Sequence, residues 1–298
     1  MTAQHHSLNL LNHTGSVEQG IDMSAISNVF RELRQHGKKA LMPFLTAGDP
    51  DLQFTQEVIQ LLSEEGCALL ELGFPYSDPI ADGPVIQASY TRALQTGVKV
   101  DAVFDTVARV APKVATPIVG MVSYAIVLRR GIRKFVETAR SSGLAGLIVP
   151  DLPVEESSDL RAVCNEANID LIQLITPTTP RPRAIDIAQK SRGFIYYVSV
   201  AGITGERSEL PASVVDNVAW LRQQTDLPIC VGFGVSRPEH AQMVAQVADG
   251  VIVGSAFVRR ISEAATRPKH EVLLELRQFA RSLLSALDAV CQSLAQRD

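Results

Sequence analysis

The sequence predicts a single α/β domain, a closed (β/α)8 barrel of the TIM type with an extra N-terminal helix. Three observations predict it. Short, near-continuous apolar runs recur eight times along the chain, and runs apolar on both faces belong to parallel strands covered by helices. Each run is trailed by apolar residues at helical spacing, with a repeat averaging roughly thirty residues, the scale of one strand-and-helix unit. No stretch rich in Gly, Ser or Pro divides the 298 residues, and eight such units suit a closed barrel better than an open doubly wound sheet.

Residues 1–22 are polar, carry His5, His6 and His13, and hold neither Lys nor Arg. They read as a flexible N-terminal tail rather than a signal or transit peptide, which leaves 23–298 as the barrel domain. Ile26, Val29, Phe30 and Leu33 recur at helical spacing and stop near Gly37, giving the extra helix. A buried strand follows at 40–46. Gly48-Asp49-Pro50 then reads as a turn, with Asp49 as helix cap and Pro50 at the first helical position. Phe54, Val58, Leu61 and Leu62 form the buried stripe of that helix, and Gly66 ends it.

Further strands are predicted at 67–72, 117–123, 146–150, 170–176, 193–199, 228–232 and 250–253. Helices are predicted over 85–96, 100–114, 132–142, 155–168, 181–191, 211–225 and 238–247, with the last barrel helix opening at Gly254-Ser255. An amphipathic tail through Leu273, Leu276, Phe279, Leu283, Leu284 and Leu287 is expected to pack on the barrel wall.

Composition narrows the function classes. A net charge of -4 and a pI near 5.9 argue against nucleic acid or an anionic membrane as the main partner. No apolar run is long enough to span a bilayer. Cys67, Cys164, Cys230 and Cys291 are dispersed, so free thiols in a reducing cytoplasm are expected and no zinc motif appears.

Barrels of this kind build their active sites at the C-terminal ends of the strands. Glu71 falls at the end of the second predicted strand and Asp82 in the loop beyond it. A carboxylate in an apolar strand is costly unless paired or protonated, so Glu71 is either a proton-transfer group or half of a salt bridge inside the barrel. Asp82 is either its partner in acid/base chemistry or a turn-former, since Asp-Gly-Pro suits a loop on its own. Asp78, before a proline, ranks below both. The three acids together would also suit magnesium.

Glycines follow the last three predicted strands, at Gly202 and Gly205, Gly232 and Gly234, and Gly254 before Ser255. Backbone N–H groups in such loops, with a helix start at Ser255, make a nest for a phosphate dianion, although glycines also allow close helix packing. No Lys lies in a predicted strand and no activated Ser or Cys is visible, so covalent intermediates are disfavoured. What remains is proton transfer by carboxylates on a small phosphorylated molecule.

The run LELGFPYSDPIADGP at 70–84 resembles the signature of the tryptophan synthase alpha chain family. The resemblance continues through PFLTAGDP at 43–50, VPDLPVEE at 149–156 and the three glycine loops, in order from about residue 23 to the end. It implies a carbon–carbon lyase of tryptophan biosynthesis that splits indole-3-glycerol phosphate into indole and D-glyceraldehyde 3-phosphate by retro-aldol cleavage. It places Glu71 and Asp82 in the catalytic positions. Phe44, Tyr196, Thr204, Phe233 and Gly234 would line the substrate pocket, while Gly205, Gly234, Gly254 and Ser255 would hold the phosphate. A loop over 202–211 would close on the substrate, and its charges and few apolar anchors suggest that it moves without ligand. The resemblance implies no metal and no cofactor in this chain. Pyridoxal phosphate would belong to a tryptophan synthase beta chain that receives the indole in an alpha2-beta2 complex and touches the loop around residues 75–78. A lyase acting alone and releasing free indole, another phosphate-binding barrel enzyme, or a silent subunit that only activates a partner would share many of these features.

Overall fold

The computed structural model describes residues 23–80, 82–198, 211–232 and 234–296. The tail at 1–22, Thr204, Gly205, Phe233 and all but the end of the 202–211 loop lie outside the described residues. In chain order the elements are α1 (Ala25–Gln35), β1 (Ala40–Thr46), α2 (Leu52–Glu64), β2 (Leu70–Gly73), α3 (Pro84–Gln95), α4 (Val100–Val110), β3 (Ile118–Met121), α5 (Tyr124–Arg130), α6 (Ile132–Ser142) and β4 (Leu144–Ile148). They continue with α7 (Ser158–Glu166), β5 (Asp170–Ile175), α8 (Arg181–Lys190), β6 (Ile195–Val198), α9 (Ala212–Arg222), β7 (Ile229–Gly232), α10 (Pro238–Ala245), β8 (Gly250–Val253), α11 (Ser255–Ser262) and α12 (Lys269–Ala295). The strands pair in parallel in sequence order and β1 closes on β8, so the expected barrel forms and its sheet has no open edge.

Strand alternation sorts the core into two layers. In β1, Leu41 and Leu45 face the helical shell, while Ala40, Met42 and Phe44 face the lumen. The shell carries most of the apolar burial. The tail helix belongs to it: α12 packs on α2, α10 and α11 with Leu276, Phe279, Leu283 and Leu287 buried.

The extra helix closes the N-terminal end of the barrel. Ile26 and Phe30 of α1 join Ile148, Ile172 and Phe194 in the inner cluster, with the Phe30 and Phe194 rings 5.9 Å apart. Gly146 is required under it, because a Cβ there would lie 2.9 Å from Ile26 Cδ1. Ser24 Oγ donates to buried Asp170 at the start of β5, and Arg192 Nε lies 3.3 Å from the other Asp170 oxygen.

Two local expectations are corrected. The cap of α2 is Asp51, whose Oδ1 accepts from Phe54 N at 2.7 Å, so Pro50 precedes the helix rather than opening it. Asp49 is instead buried and takes two hydrogen bonds, from Arg92 Nε and Nη2, at 2.9 and 2.7 Å. A bidentate arginine partner outcompetes a cap that the neighbouring Asp51 can supply. The helix α5 was not expected, and β4 starts two residues earlier than predicted, at Leu144 rather than Gly146.

Candidate active site

The alternation of β2 aims Glu71. Leu70 and Leu72 join the outer cluster, so the residue between them points into the lumen. Its register partners are Phe44 on β1 and Val119 on β3, both apolar and inward-facing. Glu71 is 0% exposed, and among the described residues neither carboxyl oxygen has a hydrogen-bond partner. Among the described residues it therefore has no salt-bridge partner inside the barrel. Burial alone pushes its pKa up to about 8, since the charged form would lose water and gain no donor. At neutral pH it is a carboxylic acid with a proton to give.

Asp82 is held differently. Its backbone N–H donates to Pro79 O at 3.1 Å, and its carbonyl accepts from Gln87 Nε2 at 2.7 Å. The loop is thus tied to itself and to the first turns of α3. Burial pushes the Asp82 carboxyl up to about 6, and the nearby Tyr76 hydroxyl acts the other way. It is ionised at neutral pH where Glu71 is not. Two acids in one barrel mouth with environments that separate their pKa values suit opposite proton-transfer roles.

A cleft of about 720 Å³ opens beside them, lined in part by Asp82, Met121, Asp151, Leu174, Thr176 and Tyr196. Tyr196 comes from β6, and its phenol pKa is raised well above the ordinary value by burial and then by Glu71 and Asp82. Both acids therefore act on it. Glu71, wholly enclosed, is not among the described lining residues. Another cleft of about 630 Å³ lies at the opposite end of the barrel, between α1 and the last turns of α12. It holds none of the expected site residues.

The glycine rim follows β7 and β8 at the same end of the barrel. Gly254 precedes α11 without any side-chain cap, leaving the first N–H groups of that helix open to an anion, and Ser255 is its first residue. α11 packs on α3 and β1, and a Cβ at Gly254 would lie 3.9 Å from Phe44 Cβ. Gly234, exposed after β7, has φ +57°, a left-handed conformation that favours glycine. Asp82, Gly234, Gly254 and Ser255 thus follow the C-terminal ends of β2, β7 and β8, while Phe44, Glu71 and Tyr196 stand on β1, β2 and β6; of these the cleft is lined by Asp82 and Tyr196.

Asp78 is not part of this group. It is exposed and accepts from Ser77 Oγ at 2.8 Å. Among the described residues no cluster of three or more His, Cys, Asp or Glu is placed to hold a metal ion, so the three acids of the loop do not converge on one. Sequence reasoning gave no role to Tyr76, whose ring lies 5.5 Å from that of Tyr90, or to Asp151, which accepts from Ser123 Oγ and Tyr124 N at 2.7 and 2.8 Å. Both lie inside the recognised motifs, so position in the motif was the available signal.

A family model described as tryptophan synthase alpha chain matches residues 30–287. A tryptophan synthase alpha chain of Rhodopirellula baltica is 53% identical over 277 residues, covering 90% of this chain and 100% of the relative. One of Synechocystis sp. is 48% identical over 266 residues, covering 89% and 100%. Among solved structures, the tryptophan synthase subunit alpha of Legionella pneumophila superposes with a TM-score of 0.82 at 34% identity, covering 90% of this chain and 99% of that one. A chain of Mycobacterium tuberculosis tryptophan synthase in an aminoacrylate-bound form gives 0.79 at 31% identity, covering 89% and 99%.

Proposed function

Since the chain belongs to the tryptophan synthase alpha chain family, we propose that Glu71 and Asp82 carry the proton transfers of that family's reaction. The chain is a carbon–carbon lyase that cleaves indole-3-glycerol phosphate to indole and D-glyceraldehyde 3-phosphate in tryptophan biosynthesis. The observation that supports the assignment best is the unpartnered, lumen-facing Glu71, protonated at neutral pH, with an ionised Asp82 acting on the same Tyr90 and Tyr196.

The steps follow from those protonation states. Glu71 gives its proton to C3 of the indole ring while Asp82 takes the proton from the ring nitrogen. The product is an indolenine whose C=N bond is an electron sink. Glu71, now a carboxylate, takes the proton of the hydroxyl on the carbon bonded to the ring. The carbonyl forms, the carbon–carbon bond breaks, and its electron pair moves into the sink as Asp82 returns the proton to nitrogen. Both acids end as they began. General acid/base steps of this type contribute about 10²–10⁴-fold each, and positioning supplies much of the remainder.

Phe44 and Tyr196 would form apolar walls for the ring. Gly234, Gly254 and Ser255, with Thr204, Gly205 and Phe233 completing the pocket, would take the anionic end at the start of α11. The partner proposed is a tryptophan synthase beta chain that holds the pyridoxal phosphate and receives indole in an alpha2-beta2 complex. Its contact is assigned to the loops after β2 and β3. Ile80 there is 92% exposed and Leu128 on α5 is 52% exposed, two apolar side chains that a partner could cover.

Glu71→Gln tests the central assignment. The variant keeps the shape of the side chain and has no acid proton to give, so steady-state cleavage should fall at least about a hundredfold with the fold intact. A folded variant retaining a tenth of normal turnover would remove Glu71 from the role.

A further inference from the structure

We propose that the cleft between α1 and the last turns of α12, at the end of the barrel away from the acids, binds a small amphipathic carboxylate. Arg34, Lys38 and Lys39 take the carboxylate, and the apolar lining takes the hydrocarbon body. The site is separate from the one assigned to Glu71 and Asp82 and does not depend on their roles.

Two helix faces wall the cleft. α1 contributes Phe30, Leu33 and Arg34, and α12 contributes Asp288, Cys291, Gln292 and Ala295, each set recurring at the spacing that shares one helical face. Phe30 belongs to the inner cluster, with its ring 5.9 Å from that of Phe194, so this apolar wall is backed by the barrel core. Leu33 packs on the same cluster, and Pro228 and Leu294 add further apolar lining. A volume of about 630 Å³ falls within the range of roughly 300–1,000 Å³ that suits small organic ligands.

The charges of the lining select a monoanion. Gly37, at φ +62°, turns the chain at the end of α1, and Lys38 N donates to Leu33 O at 2.8 Å, which brings Lys38 and Lys39 back beside Arg34. Arg34 Nη2 donates to Asp226 O at 3.4 Å and Lys39 Nζ to Ala248 O at 2.8 Å. Both acceptors are main-chain carbonyls, so each cation keeps other N–H groups for a ligand. Among the described residues none of the three cations forms an ion pair, and Lys38 is exposed. Of the two carboxylates in the lining, Asp249 is matched by Arg222 at 3.1 Å and accepts from Ile229 N at 2.9 Å, while Asp288 is exposed and unpaired. The C-terminal ends of α1 and α12 add about half a negative charge each. Set against Asp288 and the two helix ends, the three cations leave about one positive charge, which a single carboxylate cancels.

The test titrates octanoate into the full chain, labelled at leucine and methionine methyl groups and followed by NMR. The Leu33 and Leu294 methyl signals should shift and saturate with a Kd of about 1 mM or tighter. Met121 and Leu174, which line the cleft beside Asp82, should not move. Octylamine, the same chain with the opposite charge, should bind at least about tenfold more weakly, a comparison that needs no variant. The double variant Arg34→Glu, Lys38→Glu reverses two exposed charges and should weaken octanoate at least about tenfold, with cleavage within about twofold of the parent. Octylamine binding as tightly as octanoate overturns the inference, as do shifts confined to Met121 and Leu174 or no shift at all. A folded double variant that binds octanoate like the parent overturns it equally.

Discussion

Glu71 couples activity to stability through a single proton. With Asp82 near 6 and Glu71 near 8, the productive pairing of an ionised aspartate and a protonated glutamate exists between those values. A plot of kcat/KM against pH should be bell-shaped with limbs near 6 and 8; a flat profile across that window would remove both assignments. The same shift acts on folding. The folded-state pKa of Glu71 lies above the ordinary value of 4.5, so the folded chain keeps a proton that the unfolded chain releases. Its favourable contribution is fully present below about 4.5 and is lost as the pH rises towards 8. Glu71→Gln removes this titration. Measured against the parent, that variant should gain stability between pH 5 and pH 9 by on the order of a few kcal/mol, in urea unfolding at the two pH values. A pH-independent difference would mean that the parent carboxyl is hydrated when folded. Glu71 was legible in the sequence because leucines flank a lone acid. Asp82 was legible from its place after the second strand as one of two alternatives, acid/base partner or turn-former, and the signature tipped the balance.

At the scale of elements, strands and helices recurred where apolar period placed them, and the errors fell where a distant residue decides a local structure. The seven residues of α5 carry no helical stripe of their own. Its first turn is capped by Ser123 and by Asp151, the latter 27 residues away in sequence, and no window of sequence shows that pairing. The Asp49 and Arg92 pair is likewise 43 residues apart. The early helix α1 was expected as an extra element, but its position was not: it plugs the end of the barrel away from the acids. Conserving that end protects stability rather than chemistry. Ile26→Ala should therefore weaken the fold by about 2–4 kcal/mol through the cavity it leaves among Ile172, Phe194 and Gly146. Its first urea transition would shift accordingly, with KM for the substrate unchanged. A loss of less than about 1 kcal/mol would mean that α1 lies on the barrel without filling it.

On the scale of the whole molecule, strand order decides which sides of the mouth do which work. In the closed ring, β3 and β7 are four strands apart and therefore opposed. The loop after β7 carries Gly234, part of the proposed anion grip, while the loops after β2 and β3 carry Ile80 and Leu128 with their apolar side chains in solvent. A substrate held by its phosphate at β7 and β8 and cleaved beside Glu71 on β2 leaves its indole half nearer the sector proposed for the beta chain. Exposure of that sector makes the arrangement testable without disturbing the chemistry. Ile80→Asp places a charge in what would be the desolvated centre of the contact, so affinity for a beta chain should drop by at least about thirtyfold. Leu128→Asp, farther from Asp82 along the chain, should act in the same direction. Cleavage by each isolated variant should stay within about twofold of the parent, because neither side chain has a role in the acid/base steps. Isothermal titration of each variant with the beta chain, set beside single-chain turnover, reads both quantities. Undiminished affinity in both variants would move the contact to another sector of the rim, and the proposed route for indole with it.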